Sequence, residues 1–247
     1  ARISVRSGTD EVDAHRRDGS GPGIAAQELE LDLTRGRPIT VTKTVALFTS
    51  RDRAIAAPLL EACNEVERAP AFETLVASQE RAWRHLWRRF DLGLDHRDQE
   101  EGERTLRILH LHLFHLLQTV SMHSMDLDAG VPPRGWHGEA YRGHILWDEL
   151  FIFPLLNLRV PQITRALLLY RYRRLGEARA AAAEAGHRGA MYPWQSGSNG
   201  REESQRIHLN PRSGRWIPDN SRVQRHVSSA IAFNVWQYHQ VTHDVEF

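Results

Sequence analysis

Apolar and polar residues alternate in two stretches, Leu29-Glu30-Leu31-Asp32-Leu33 and Ile39-Thr40-Val41-Thr42-Lys43-Thr44-Val45, and this period of two predicts two β-strands around a polar turn at 34–36. Residues 1–25 are polar and glycine-rich after a short Ile-Ser-Val opening. They predict loop, with a turn at 19–23 (GSGPG). From about residue 54 the period becomes helical. Leu59, Leu60, Cys63 and Val66 share one stripe, and beyond Pro70 a second set holds Phe72, Leu75, Trp83, Leu86, Trp87 and Phe90. A charged loop over 91–103 then leads into a helix over 105–124, spaced by Leu106, Leu109, Leu113, Leu116, Leu117 and Val120. Residues 150–158 are almost wholly apolar, as a buried segment would be, with Pro154 as a kink or a new start. Pro161 suits a first helical turn, a helix-prone run covers 177–185, residues 209–220 are turn-rich, and a last helix runs over about 221–242. Short breaks between consecutive helices imply antiparallel helical pairs.

Two loops at helix ends carry an aromatic beside a polar hydrogen-bonder. The first is 138–150, GEAYRGHILWDEL, with Trp147–Asp148; the second is 189–203, with Trp194–Gln195. A tryptophan face can lie against the C–H face of a pyranose while a carboxylate accepts two hydroxyl hydrogen bonds, so Trp147–Asp148 suits one hexose. The same dipeptide also fits a core tryptophan beside a helix-capping aspartate.

Composition narrows the classes. At 247 residues, with 41% hydrophobic residues and seven Trp, the chain can bury a large core. A formal net charge of +1 gives no warrant for a nucleic-acid partner, and Arg81, Arg84, Arg88 and Arg89 among their aromatics read as the solvated face of an amphipathic helix. Lys43 is the only lysine, a bias with no functional reading. The single cysteine, Cys63, excludes an intrachain disulfide and a thiolate metal cluster. Of His110, His112, His115 and His123, only His112 and His115 are close on one face, so a polar helix face is read in preference to zinc. No apolar run has membrane-spanning length and no signal segment opens the chain, so a cytoplasmic protein without a membrane partner is expected. Because it starts at Ala1 and stops at Phe247 directly after a helical pattern, it is expected to be a piece of something longer.

Several segments together resemble a known family. Tyr141-Arg142-Gly143-His144-Ile145-Leu146-Trp147-Asp148 and Tyr192-Pro193-Trp194-Gln195-Ser196 are similar to signature segments of glycoside hydrolase family sixty-five, the maltose, trehalose and kojibiose phosphorylases and related α-glucosidases. Thr49-Ser50-Arg51-Asp52, Leu169-Tyr170-Arg171-Tyr172 with Leu175 and Ala178-Arg179, and His226 with Ala232 and Val235-Trp236-Gln237-Tyr238 add to the likeness, which spans about 29–247. The resemblance implies a mainly α chain: the end of a β-sandwich domain (1–53), a helical linker (54–97) and the first part of an (α/α)6 barrel (98–247). It implies a substrate-binding set of Trp147, Asp148, Arg142, Trp194, Gln195 and His226, with the Trp-Asp pair on the donor glucosyl unit. Many members have Glu where Gln195 stands, and an amide cannot act as a base. No catalytic residue is assigned, because the family's general acid and phosphate-binding residues lie further along than Phe247; Glu139, Glu149 and Glu202 have no context that would make them substitutes.

The implied activity is inverting phosphorolysis of an α-linked glucose disaccharide to β-glucose 1-phosphate and glucose. Inorganic phosphate is the co-substrate, no metal or other cofactor is implied, a small α-glucoside is the partner, and a homodimer of the full-length protein is compatible. One protonated carboxyl protonates the leaving oxygen while phosphate attacks from the opposite face. The competing readings are a trehalose-type hydrolase on the same scaffold and a non-catalytic carbohydrate-binding module. In each case the isolated chain is expected to be inactive.

Overall fold

The computed structural model describes residues 1–135 and 141–247. Among them are seven α-helices and seven short β-strands, divided between two compact units, Ala1–His85 and Leu86–Phe247. No described helix is long and apolar enough to cross a membrane.

In the first unit, β1 (Arg2–Ser7) pairs antiparallel with both β2 (Asp10–Glu11) and β5 (Thr40–Thr44), in the order β2-β1-β5. Val5 faces Val41 in that register and is fully buried. The strand expected over 39–45 is therefore present. The region expected to be loop is not: β3 (His15–Gly21) and β4 (Ile24–Glu30) form a hairpin turned by Pro22–Gly23, with Gly23 at φ +73°, where glycine carries no steric penalty. Every residue of β3 is exposed, so backbone pairing holds the hairpin and no side-chain alternation announces it. The strand expected over 29–33 is correspondingly shifted, ending at Glu30. After the sheet, α1 (Pro58–Arg68) begins with proline in its first turn, and Arg2 donates to the carbonyls of Glu67 and Ala69 at its end.

Helix α2 (Phe72–Phe90) runs up to a loop, and α3 (Gln99–Thr119) starts earlier than its apolar spacing suggested. The reason is a cap. Asp98 accepts from the Glu101 N–H at 3.1 Å, satisfying a first-turn donor within the segment read as loop.

The core of the second unit lies between α4 (Glu149–Arg159), α5 (Pro161–Arg173) and α7 (His226–Thr242), which pack mutually, with α6 (Leu175–Glu184) against α5. Phe153, Leu156, Ile163, Leu167, Leu168, Val227 and Ile231 fill it. Helix α4 is less buried than its composition suggested: Phe151 is 68% and Leu158 70% exposed. It continues through Pro154, which has no N–H to give to the carbonyl of Leu150. The turn-rich segment before α7 contains the hairpin β6–β7 (Ile207–Leu209, Trp216–Pro218), and α7 itself begins at His226, five residues later than expected.

Candidate functional site

The first aromatic loop is described from Tyr141 onward; Gly138–Ala140, and with them Glu139, lie outside the described residues. It enters through three successive left-handed residues, Tyr141 (φ +60°), Arg142 (φ +50°) and Gly143 (φ +73°). Two of these carry a Cβ and each costs about 1–2 kcal/mol, so the surroundings must hold the turn in place. One such hold is the His144 N–H, which donates to the Tyr141 carbonyl at 2.8 Å. His144 Nδ1 lies 2.6 Å from that same oxygen and must carry the proton. The amide end of Gln195 sits 3.2 Å from this nitrogen, so it meets the N–H best through its oxygen.

The loops are stitched together by a two-way backbone bridge, Ile145 N–H to the Ser196 carbonyl (3.0 Å) and Ser196 N–H to the Ile145 carbonyl (2.9 Å). This brings Trp147 within 6.4 Å of Trp194, ring centre to ring centre. His226, at the start of α7, sets its ring nearly edge-on to both, 5.1 Å from Trp147 and 5.5 Å from Trp194. Trp147 is half-buried, and Asp148 occupies the cap position of α4 without a side-chain cap hydrogen bond. Trp147 also packs on Phe151, ring centres 5.2 Å apart, so its ring is partly core and partly open.

The remaining residues of the set divide between two cavities. Arg142 and Gln195 line one of about 380 Å³ with Trp194, His144, Glu203 and Asp219. Asp148 lines another, of about 400 Å³, with His112, His115, Thr119 and Arg134. Trp147, Trp194 and His226 are thus brought together; Arg142 and Gln195 join them through Trp194, and the Asp148 side chain opens elsewhere. His112 and His115 do share a face, and among the described residues no three His, Cys, Asp or Glu side chains are grouped to hold a metal ion.

Three anchors carry no distinctive sequence signal. Glu149, 2% exposed, receives Arg171 on Oε2 at 3.0 and 3.2 Å and the Val131 N–H on Oε1 at 3.3 Å. Burial holds its carboxyl above the usual carboxylate range, and Arg171 offsets that rise only in part. Three N–H donors aimed at its two oxygens make it an anchor between the first loop and α5. Glu202 accepts from the N–H groups of Trp194 (2.7 Å), Gln195 (3.2 Å) and Ser204 (3.0 Å) and from the Ser204 hydroxyl (2.6 Å), which ties the second loop to itself. Asp128 takes the forked guanidinium of Arg174 (3.0 and 3.1 Å) together with Arg173 (2.9 Å). Partial burial raises this carboxyl, but the hydrogen bonds from Arg174 and Arg173 outweigh it and hold the group below the usual carboxylate range.

The profile of the glycosyl hydrolase family 65 central catalytic domain matches residues 110–247, and that of the family's N-terminal domain matches residues 1–86. The chain belongs to glycosyl hydrolase family 65. Within family 65 it is 47% identical, over its whole length, to an uncharacterised glycosyl hydrolase of Mycobacterium tuberculosis, covering 18% of that protein. It is 38% identical over 92% of its length to the trehalose 6-phosphate phosphorylase of Lactococcus lactis, covering 29% of that protein. A solved structure from the human microbiome, provisionally assigned as a kojibiose phosphorylase, matches 77% of this chain and 23% of its own with a TM-score of 0.59 at 21% identity. That likeness speaks to the fold alone. The family-65 chain described here therefore spans less than a third of the length of the curated relatives named.

Proposed function

We infer that this chain supplies the donor-sugar grip of a longer inverting α-glucosyl disaccharide phosphorylase, one that converts an α-linked glucose disaccharide and inorganic phosphate into β-glucose 1-phosphate and glucose. The observation that carries the reading is the convergence of Trp147, Trp194 and His226 within 5.1–6.4 Å at helix ends; Asp148, next in sequence to Trp147, is not spent on a cap and faces the neighbouring cavity. Rings so placed can cover one sugar face and exclude water. A carboxylate can hold hydroxyls whose hydrogen bonds strengthen as positive charge develops on the sugar. The anchoring roles of Glu149 and Glu202 favour a general acid supplied from beyond Phe247, and the phosphate site with it. The division into sandwich end (1–53), linker (54–97) and first barrel helices (98–247) belongs to the same reading.

The test uses the full-length protein with a panel of α-linked glucose disaccharides, headed by trehalose 6-phosphate because of the Lactococcus lactis relative. Phosphate-dependent release of β-glucose 1-phosphate supports the reading. Glucose released without phosphate makes the protein a hydrolase, and no turnover makes the chain a binding module. In the active protein Asp148→Asn lowers kcat roughly a hundredfold or more while KM moves little; a near-wild-type rate removes Asp148 from the site.

A further inference from the structure

The segments carrying the two tryptophan pairs are distant in sequence, yet both are fastened to the last turn of α5. Arg171 donates to the Leu146 carbonyl at 2.6 Å and to Glu149 Oε2 at 3.0 and 3.2 Å, so it grips both flanks of Trp147–Asp148. One residue earlier, the Tyr170 hydroxyl donates to the Gly197 carbonyl at 2.6 Å and accepts from Ser196 Oγ at 2.8 Å, directly after Trp194–Gln195. Arg174, one turn along from Tyr170, lays its guanidinium 3.7 Å from the centre of that ring and donates to the Ser198 carbonyl at 2.6 and 3.0 Å. Tyr192 closes the circuit by donating to the Arg171 carbonyl at 3.1 Å. Neighbouring helix residues point about 100° apart, so one turn can address two loops at once.

We propose that Tyr170, Arg171 and Arg174 are positioning residues that set the separation of the Trp147 and Trp194 rings, and with it the width of the sugar-holding site, without touching the sugar. The proposal rests on the sugar-binding reading given above. Tyr170 and Arg171 are each 2% exposed and Arg174 7%, so their hydrogen bonds are shielded from water and hold geometry firmly.

Removing Arg171 strands the Glu149 charge and can unfold the protein, so the deciding variant is Tyr170→Phe in the full-length protein. It keeps the ring beneath Arg174 and deletes only the hydroxyl. The expected result is a rise of roughly tenfold in KM for the glucoside, with a smaller change in kcat and an unfolding midpoint lowered only slightly. A residue of purely structural importance lowers the midpoint and the active fraction but leaves KM unchanged, and that result overturns the proposal. A second readout needs no turnover. The far-ultraviolet exciton couplet expected between Trp147 and Trp194 at 6.4 Å, identified by its loss in Trp194→Phe, changes in Tyr170→Phe if the hydroxyl sets their spacing. An unchanged couplet overturns the proposal whatever the kinetics. If the wild-type protein neither phosphorolyses nor hydrolyses glucosides, the functional reading fails, and the couplet still decides the positioning role.

Discussion

The carboxylate beside Trp147, Glu149, is paired with Arg171 and both are 2% exposed, whereas the carboxylate beside Trp194, Glu202, is exposed and supplements the buried bonds that Tyr170 and Arg174 make to the same loop. Both loops end at the same cluster of rings, but the energetics differ. A buried pair has surrendered its hydration, so cutting one partner leaves a stranded charge whose cost spreads through the core. An exposed carboxylate can be rehydrated by water when its bonds are lost, so the cost stays in the loop. The two carboxylates therefore fail differently, Glu149 through the core and Glu202 within its own loop.

The largest expected effect comes from Arg171→Met, which strands Glu149 and should destabilise the protein by about 3–5 kcal/mol in urea unfolding. A loss below about 1 kcal/mol would erase the distinction between the two carboxylates. Glu202→Ala should cost less, about 1–2 kcal/mol, and show itself chiefly as faster hydrogen exchange at the Trp194, Gln195 and Ser204 amides. Gly143→Ala forces a Cβ into a left-handed residue with no neighbouring atom within 4 Å, so backbone strain alone is expected, about 1 kcal/mol. The smallest effect is confined to acid. The Asp128 carboxyl is held below its ordinary value, so its contribution is present above the unfolded carboxylate pKa, near 4, and is lost as pH falls through the lower folded value. Asp128→Asn should therefore lower stability at neutral pH slightly and flatten its decline in that acid window, while leaving the response of the Glu149–Arg171 pair in place.

The same contrast explains what could be read from the chain beforehand. The helices announced themselves where side chains enter a core, as Ile163, Leu167 and Leu168 do on α5. The strand over 40–44 was legible from its β-branched alternation, although Val41 is 50% exposed and Thr42 and Thr44 take the less exposed side. The β3–β4 hairpin was not, since its residues are almost all exposed and, besides the backbone ladder, the pairing shows in a side-chain bond from Gln27 to Asp18 that no apolar period announces. At the site, the tryptophan pairs stood out by residue type. Glu202 and Tyr170 act through hydrogen bonds to loop backbones, and neither spacing nor composition marks such a partner. Helix α3 is the missed opportunity: Asp98 with Glu101 three residues on is a start signal that the apolar spacing overshadowed.

Pro154 gives α4 a seam. With no hydrogen bond from residue 154 back to Leu150, the first turn is joined to the rest of the helix by a weakened ladder, while Glu149 and Leu146 are bonded firmly to α5. A bend at that seam can leave the turn that carries Trp147 and Asp148 in place on α5. Changes in the final turn of α5 have no such buffer.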